Sequence, residues 1–173
     1  MKSGVLKLAI IVVVLCGAFL YIGVDFLPQS RSMPPKTTVI TAAMPQEELV
    51  ALGKKIIFGK GMCMVCHPVK SSTGERAPAM DTIGARIAKD AAALGITPAE
   101  RVFEALVNPG AYVAKGFQNI MPPANEPPTS LTSGEIIAVA AYLQSQGATV
   151  TVSYPGSVPI LKQEEAKAKK AGI

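Results

Sequence analysis

Cys63-Met64-Val65-Cys66-His67 places two thiols and an imidazole within five consecutive residues. Thiols at this spacing reach two vinyl groups of one porphyrin and form thioethers, and the adjoining imidazole then lies under the iron. The motif is therefore expected to attach haem c through Cys63 and Cys66, with His67 as the proximal ligand. A structural zinc site takes four ligands, and two neighbouring cysteines with the chain's one histidine fall short of that. A thioredoxin-like dithiol has no need of the histidine, and no βαβ pattern surrounds this pair. One motif allows one covalent haem. With one histidine in the chain, bis-histidine ligation from within the polypeptide is excluded.

The sixth iron ligand is sought among seven methionines. Met1 opens an apolar segment, Met33 and Met44 precede the domain's main helices, and Met62 and Met64 are tied into the attachment loop. Met80 and Met121 remain. Met121 lies in Asn119-Ile120-Met121-Pro122-Pro123, where the prolines remove backbone donors and stiffen the chain. Such a loop can hold a thioether against an iron. Met121 is thus the expected distal ligand, the alternative being a core methionine in a proline-rich loop. Met80 is expected on the proximal wall.

Helices must position these groups. Pro45 to Phe58 reads as one, with Glu47 and Glu48 in the first turn, Lys54 and Lys55 in the last, and Leu49, Leu52, Ile56 and Phe58 at apolar spacing. Thr97-Pro98-Ala99-Glu100 predicts a second start, with Thr97 as cap, Pro98 at the first position and Glu100 completing a capping box. That helix is expected to stop near Asn108-Pro109-Gly110. Thr132-Ser133-Gly134-Glu135 opens another, which runs to Gly147. Thr149 to Tyr154 alternates like a short strand, and Lys162 to Lys170 has helical character. This tail is either solvated or a strap onto a neighbouring subunit.

The chain of 173 residues has room for one domain plus appendages. Hydrophobic residues make up 49% and charged residues 17%, which argues against a disordered chain. Aromatics are only 5%, with no tryptophan. The core must then come from aliphatic residues and from a bound apolar group, a need that haem would meet. The net charge of +5 is not gathered into a dense run, so nucleic acid is not an expected partner. Lys54, Lys55, Lys60, Lys70 and Arg76 scatter around the motif, either as a solvated face or as a docking surface that speeds encounter with an acidic partner. Three cysteines without wide spacing do not make a disulfide framework.

Leu8 to Leu27 is almost wholly apolar, with Asp25 its one charge. About twenty helical residues span a bilayer core. Lys2 and Lys7 precede the run, so the positive-inside rule sets Met1 in the cytoplasm and the remainder on the outer side. A cleaved signal peptide is the rival, with Cys16-Gly17-Ala18 as its cleavage site, but apolar residues continue well past that point. Leu15 before Cys16 argues against a lipoprotein site. The expected organisation is an anchor at 1–27, a proline-rich tether at 28–44, a haem domain at 45–147 and an extension at 148–173.

On these motifs, the region from about Leu49 to Gly147 resembles a class I cytochrome c domain. The resemblance implies an all-α fold around one haem, with Met121, before proline, as distal ligand. It also implies that Ala77-Pro78-Ala79-Met80 supplies a carbonyl, from Pro78, that accepts a hydrogen bond from His67. In that family the first and last helices cross at a small residue and an aromatic, which here would be Gly53 or Phe58 against Tyr142. The expected activity is single-electron transfer on the periplasmic side by a membrane-anchored carrier. Its partners would be redox proteins, and the reading favours a subunit of a respiratory or photosynthetic complex. One anchor with one haem domain resembles the small subunit of nitric oxide reductase, without singling out that enzyme. A free-standing tethered shuttle and a haem-based gas sensor or peroxidase are the alternatives.

Overall fold

The computed structural model describes residues 2–26, 40, 44–72 and 75–153. Most of the tether, the tail from Tyr154 onward with Lys162 to Lys170, and Met1 and Met33 lie outside the described residues. The chain divides into two units, 1–36 and 37–173.

In the first unit, α1 runs over Lys2–Tyr21 and continues as a π-helical turn over Ile22–Phe26. Ser3–Asp25 has mean hydropathy 2.7 and is long and apolar enough to cross a membrane. Its large side chains, among them Leu8, Val13 and Phe19, are exposed. An apolar helix that buries nothing within its own unit needs an apolar surrounding from elsewhere.

The second unit is helical, and no strand occurs among its described residues. Four α-helices make its frame: α2 (Gln46–Ile57), α3 (Ile83–Leu94), α4 (Pro98–Val107) and α5 (Ser133–Ser145). In α2 the acidic first turn and basic last turn complement the helix dipole. Leu49, Gly53, Ile56 and Ile57 form its buried stripe. Two capping boxes start α4 and α5. Thr97 Oγ1 accepts from Glu100 N at 3.1 Å, and Glu100 Oε2 accepts from Thr97 N at 2.8 Å. Thr132 and Glu135 repeat the exchange. From Glu135 to Gln144 every residue of α5 is buried, so this helix is the centre of the domain.

The crossing of α2 and α5 is set at Gly53. A Cβ there would overlap the Ala138 carbonyl oxygen and lie 2.9 Å from Tyr142 Cβ. The small residue at the crossing is thus Gly53 and not Phe58, which is 53% exposed. The α3 helix, absent from the sequence expectation, ends at Gly95 in the left-handed conformation (φ +69°) and buries Gly84, Ile87 and Ala91.

Residues 149–153 are not the short strand that alternation suggested. A strand needs a partner edge, and here one side chain supplies the hydrogen bonds. Gln144 Oε1 accepts from Thr151 N at 2.8 Å and Val152 N at 3.1 Å, while its Nε2 donates to Thr151 Oγ1. Val152 is buried. The start of the extension therefore straps onto the domain it follows.

Gly53→Ala should force α2 and α5 apart and destabilise the domain by about 3 kcal/mol, read as a fall in urea midpoint. A midpoint unchanged by the substitution would contradict the close crossing.

Candidate functional site

The attachment motif leaves α2 through a tight turn. Gly61 N donates to Ile56 O at 2.8 Å, and Met62 takes a left-handed conformation (φ +50°). Cys63–Val65 then forms one 3₁₀ turn, closed by Cys66 N and His67 N on Cys63 O at 3.2 and 3.0 Å. The turn gathers Cys63, Cys66 and His67 on the wall of one cavity of about 340 Å³.

The segment after the motif folds back on it. Met80 N donates to Pro68 O at 2.9 Å and Asp81 N to Val69 O at 3.0 Å. This pairing brings Pro78 beside His67, whose Nδ1 lies 2.7 Å from the Pro78 carbonyl oxygen. A carbonyl can only accept, so Nδ1 carries the proton. Burial holds the His67 imidazole below its usual range; the Pro78 hydrogen bond opposes this, and the charge of Arg86 reinforces it. The neutral ring, protonated on Nδ1, keeps the Nε2 lone pair, which is the donor an iron requires. Burial likewise pushes the Cys63 thiol up, only partly offset by a backbone hydrogen bond. Cys63 and Cys66 are not bridged to one another.

Another part of the cavity wall comes from the chain between α4 and α5. Ala124 N donates to Leu106 O at 2.7 Å and Leu131 N to Ala124 O at 2.9 Å, pinning the end of the Met121 loop to α4. Met121 lines the cavity and is 37% exposed. Met80 lines it too, but is a buried member of the core. The cavity walls are otherwise largely apolar, with Ile57, Leu106, Val139 and Leu143 contributing. An apolar hollow bordered by two thiols, an imidazole with a free lone pair and a thioether fits haem c by the chemistry of its donor set.

Lys60 departs from the scattered basic face expected from the sequence. Its Nζ donates to both oxygens of the buried Glu135, at 2.9 and 2.8 Å, and so ties the residues before Cys63 to the N-terminus of α5. Burial pushes the Glu135 carboxyl up. The Lys60 and Thr132 hydrogen bonds and the Lys60 charge outweigh this, so it stays below the usual carboxylate range. Arg86, Arg101 and Tyr112 also line the cavity and were not singled out from the sequence. No local sequence signal marks Arg101, because its place on the cavity wall is set by how α4 packs.

A protein-family model described as cytochrome c matches residues 50–147. A search of curated proteins found no match.

Cys63→Ala with Cys66→Ala should leave no haem on the polypeptide after acid-acetone extraction, and haem retained through that extraction would contradict covalent attachment at the motif. Glu135→Gln should cost about 2 kcal/mol at pH 7, the scale of hydrogen bonds to a charged group. Because its folded pKa is depressed, Glu135 contributes stability above the unfolded carboxylate value, and this is lost as pH falls through the folded value. Unfolding curves at pH 7 and pH 3 should therefore show the gap between parent and variant closing in acid, and a gap that stays constant would refute this role.

Proposed function

The chain belongs to the cytochrome c family, and from that premise we propose that it is a membrane-anchored single-electron carrier with His67 and Met121 as the axial ligands of its iron. The family makes the chain a haem-based electron carrier, with haem c attached through Cys63 and Cys66. Haem c supplies an iron that changes between ferrous and ferric states.

The observation that carries the ligand assignment is that His67 and Met121 line the same cavity as both cysteines. Pro78 orients the His67 ring and holds its proton on Nδ1. Met121 offers a soft thioether from a loop tied at Ala124 to α4. A thioether opposite an imidazole favours the ferrous state relative to two imidazoles. Were His67 and Met121 both to hold the iron, no position would be left for a substrate, which supports outer-sphere transfer over gas binding or peroxide chemistry. Met62, Val65 and Val69 beside the motif are exposed, and this edge suits electron exchange with a partner.

Anchoring rests on the apolar helix Ser3–Asp25. Lys7 near its start, with Lys2 before it in the sequence, supports a cytoplasmic N-terminus. The haem domain then faces the periplasm or its equivalent. The one such helix among the described residues leaves little material for a quinone site of its own, which favours a place in a larger electron-transfer complex over a free tethered shuttle.

Met121→Ala should abolish the sulfur-to-iron charge-transfer band of the ferric protein while leaving the haem covalently bound. Survival of that band in the variant would remove Met121 from the coordination sphere.

A further inference from the structure

Ile40 lies ahead of α2 and outside residues 50–147, yet it is a buried member of the domain's core. Val39 and Ile40 are the only Val, Ile or Leu residues in 28–44. Ile40 sits on Gly134, in the first turn of α5. A Cβ on Gly134 would stand 3.1 Å from Ile40 Cδ1 and 3.4 Å from Ile40 Cβ, so the glycine leaves the room that the isoleucine takes. Withdrawing an isoleucine side chain from water favours the seated state by about tenfold or more.

The place of this seat matters because of the direction in which α2 runs. At the start of α2, Gln46 Nε2 donates to Val150 O at 3.0 Å, just past the C-terminal end of α5. Beyond the end of α2, Lys60 holds Glu135 at the N-terminal end of α5. The α2 helix thus carries the chain along α5 from one end to the other, a length of about 18 Å for its 12 residues. Without the seat, the segment from the apolar helix would join the domain at Gln46, beside Val150. With Ile40 on Gly134 it joins at the other end, next to Glu135 and so next to Lys60 and the attachment turn that begins at Cys63. Ile40 and Gln46 are six residues apart, and extended chain of that length reaches about 20 Å, enough to join the two ends. Met62 and Val65 are exposed at the attachment turn.

We propose that Ile40 is a positioning residue that clamps the tether to the attachment-loop end of the domain, and that the edge at Met62 and Val65 is thereby presented to a redox protein embedded in the same membrane. A tether that pulls at this end keeps the edge on the membrane side. Attachment to one membrane raises the effective concentration of a partner held there, and gives no such advantage to a freely diffusing carrier. The inference rests on Ser3–Asp25 being an anchor, and not on Met121 as a ligand.

The test is nuclear magnetic resonance on the full-length, haem-loaded protein in phosphatidylcholine nanodiscs, reduced to its diamagnetic state and labelled at valine methyls. A headgroup lipid carrying a gadolinium chelate broadens signals close to the bilayer. Greater broadening of Val65 than of Val150 is expected, and equal broadening or the reverse order would overturn the inference. Ile40→Asp, which cannot keep the seat, should abolish the difference, as should Gly134→Val, which evicts Ile40 without altering the tether; a difference that survives both would remove Ile40 from this role. A short Gly-Ser insertion after Thr41 should leave the difference intact, because the clamp lies before it, and a difference lost on that insertion would contradict the clamp. Reoxidation of the haem should persist in native membranes washed free of soluble protein. Reoxidation that returns only when the soluble fraction is added back would overturn the membrane-embedded partner. Release of the protein by carbonate would show instead that the anchor itself fails, so the two failures are distinguishable.

Discussion

An imidazole that donates to a metal through one nitrogen keeps its proton on the other, and an acceptor placed there fixes which nitrogen is which. His67 meets that acceptor through a single short hydrogen bond to the Pro78 carbonyl. The bond fixes the tautomer and the ring orientation, while burial favours the neutral state. Much of the surrounding fold exists to hold these two groups in place. The backbone pairing of Met80 with Pro68 and of Asp81 with Val69 brings Pro78 to the ring. The 3₁₀ turn at Cys63–Val65 aims the ring and both thiols into one hollow.

That local arrangement is only as firm as the frame behind it. The frame is the crossing of α2 on α5, where Gly53 lets the two backbones come close. Because the motif follows α2 directly, the position of α2 on α5 sets the position of the motif. Lys60 adds a second tie from the same stretch to Glu135. Glu135 also closes the capping box of α5, so one buried carboxylate joins the start of the central helix to the attachment loop. Elsewhere on the cavity wall, hydrogen bonds from Ala124 and to it do the same for the loop that carries Met121.

What could be read from the sequence was what is encoded locally. The haem motif spans five residues, and both threonine caps find their glutamate three positions on, so spacing alone revealed them. Gly53 opposite Tyr142 was reachable only through the family resemblance, which left Phe58 as an equal candidate; the close approach to Ala138 decides for glycine. The α3 helix was missed because no capping box marks its start, where Thr82 makes no side-chain cap bond. The Lys60–Glu135 pair joins positions 75 residues apart, and no periodicity signals a pairing of that range. Arg101 reads in the sequence as one more charge on a helix; its burial against the Tyr112 ring beside the cavity is visible only in the fold. The alternation of residues 149–153 was real but misread, since Gln144 and not a neighbouring strand takes up their backbone donors.

Ligation of the iron by both His67 and Met121, as proposed, would separate an electron carrier from a gas-binding or catalytic haem. The most direct test is to expose the reduced full-length protein to carbon monoxide at neutral pH and follow its visible spectrum. The account predicts a spectrum that does not change. Prompt, stoichiometric formation of a carbon monoxide adduct would show an open or weakly held position and would contradict it.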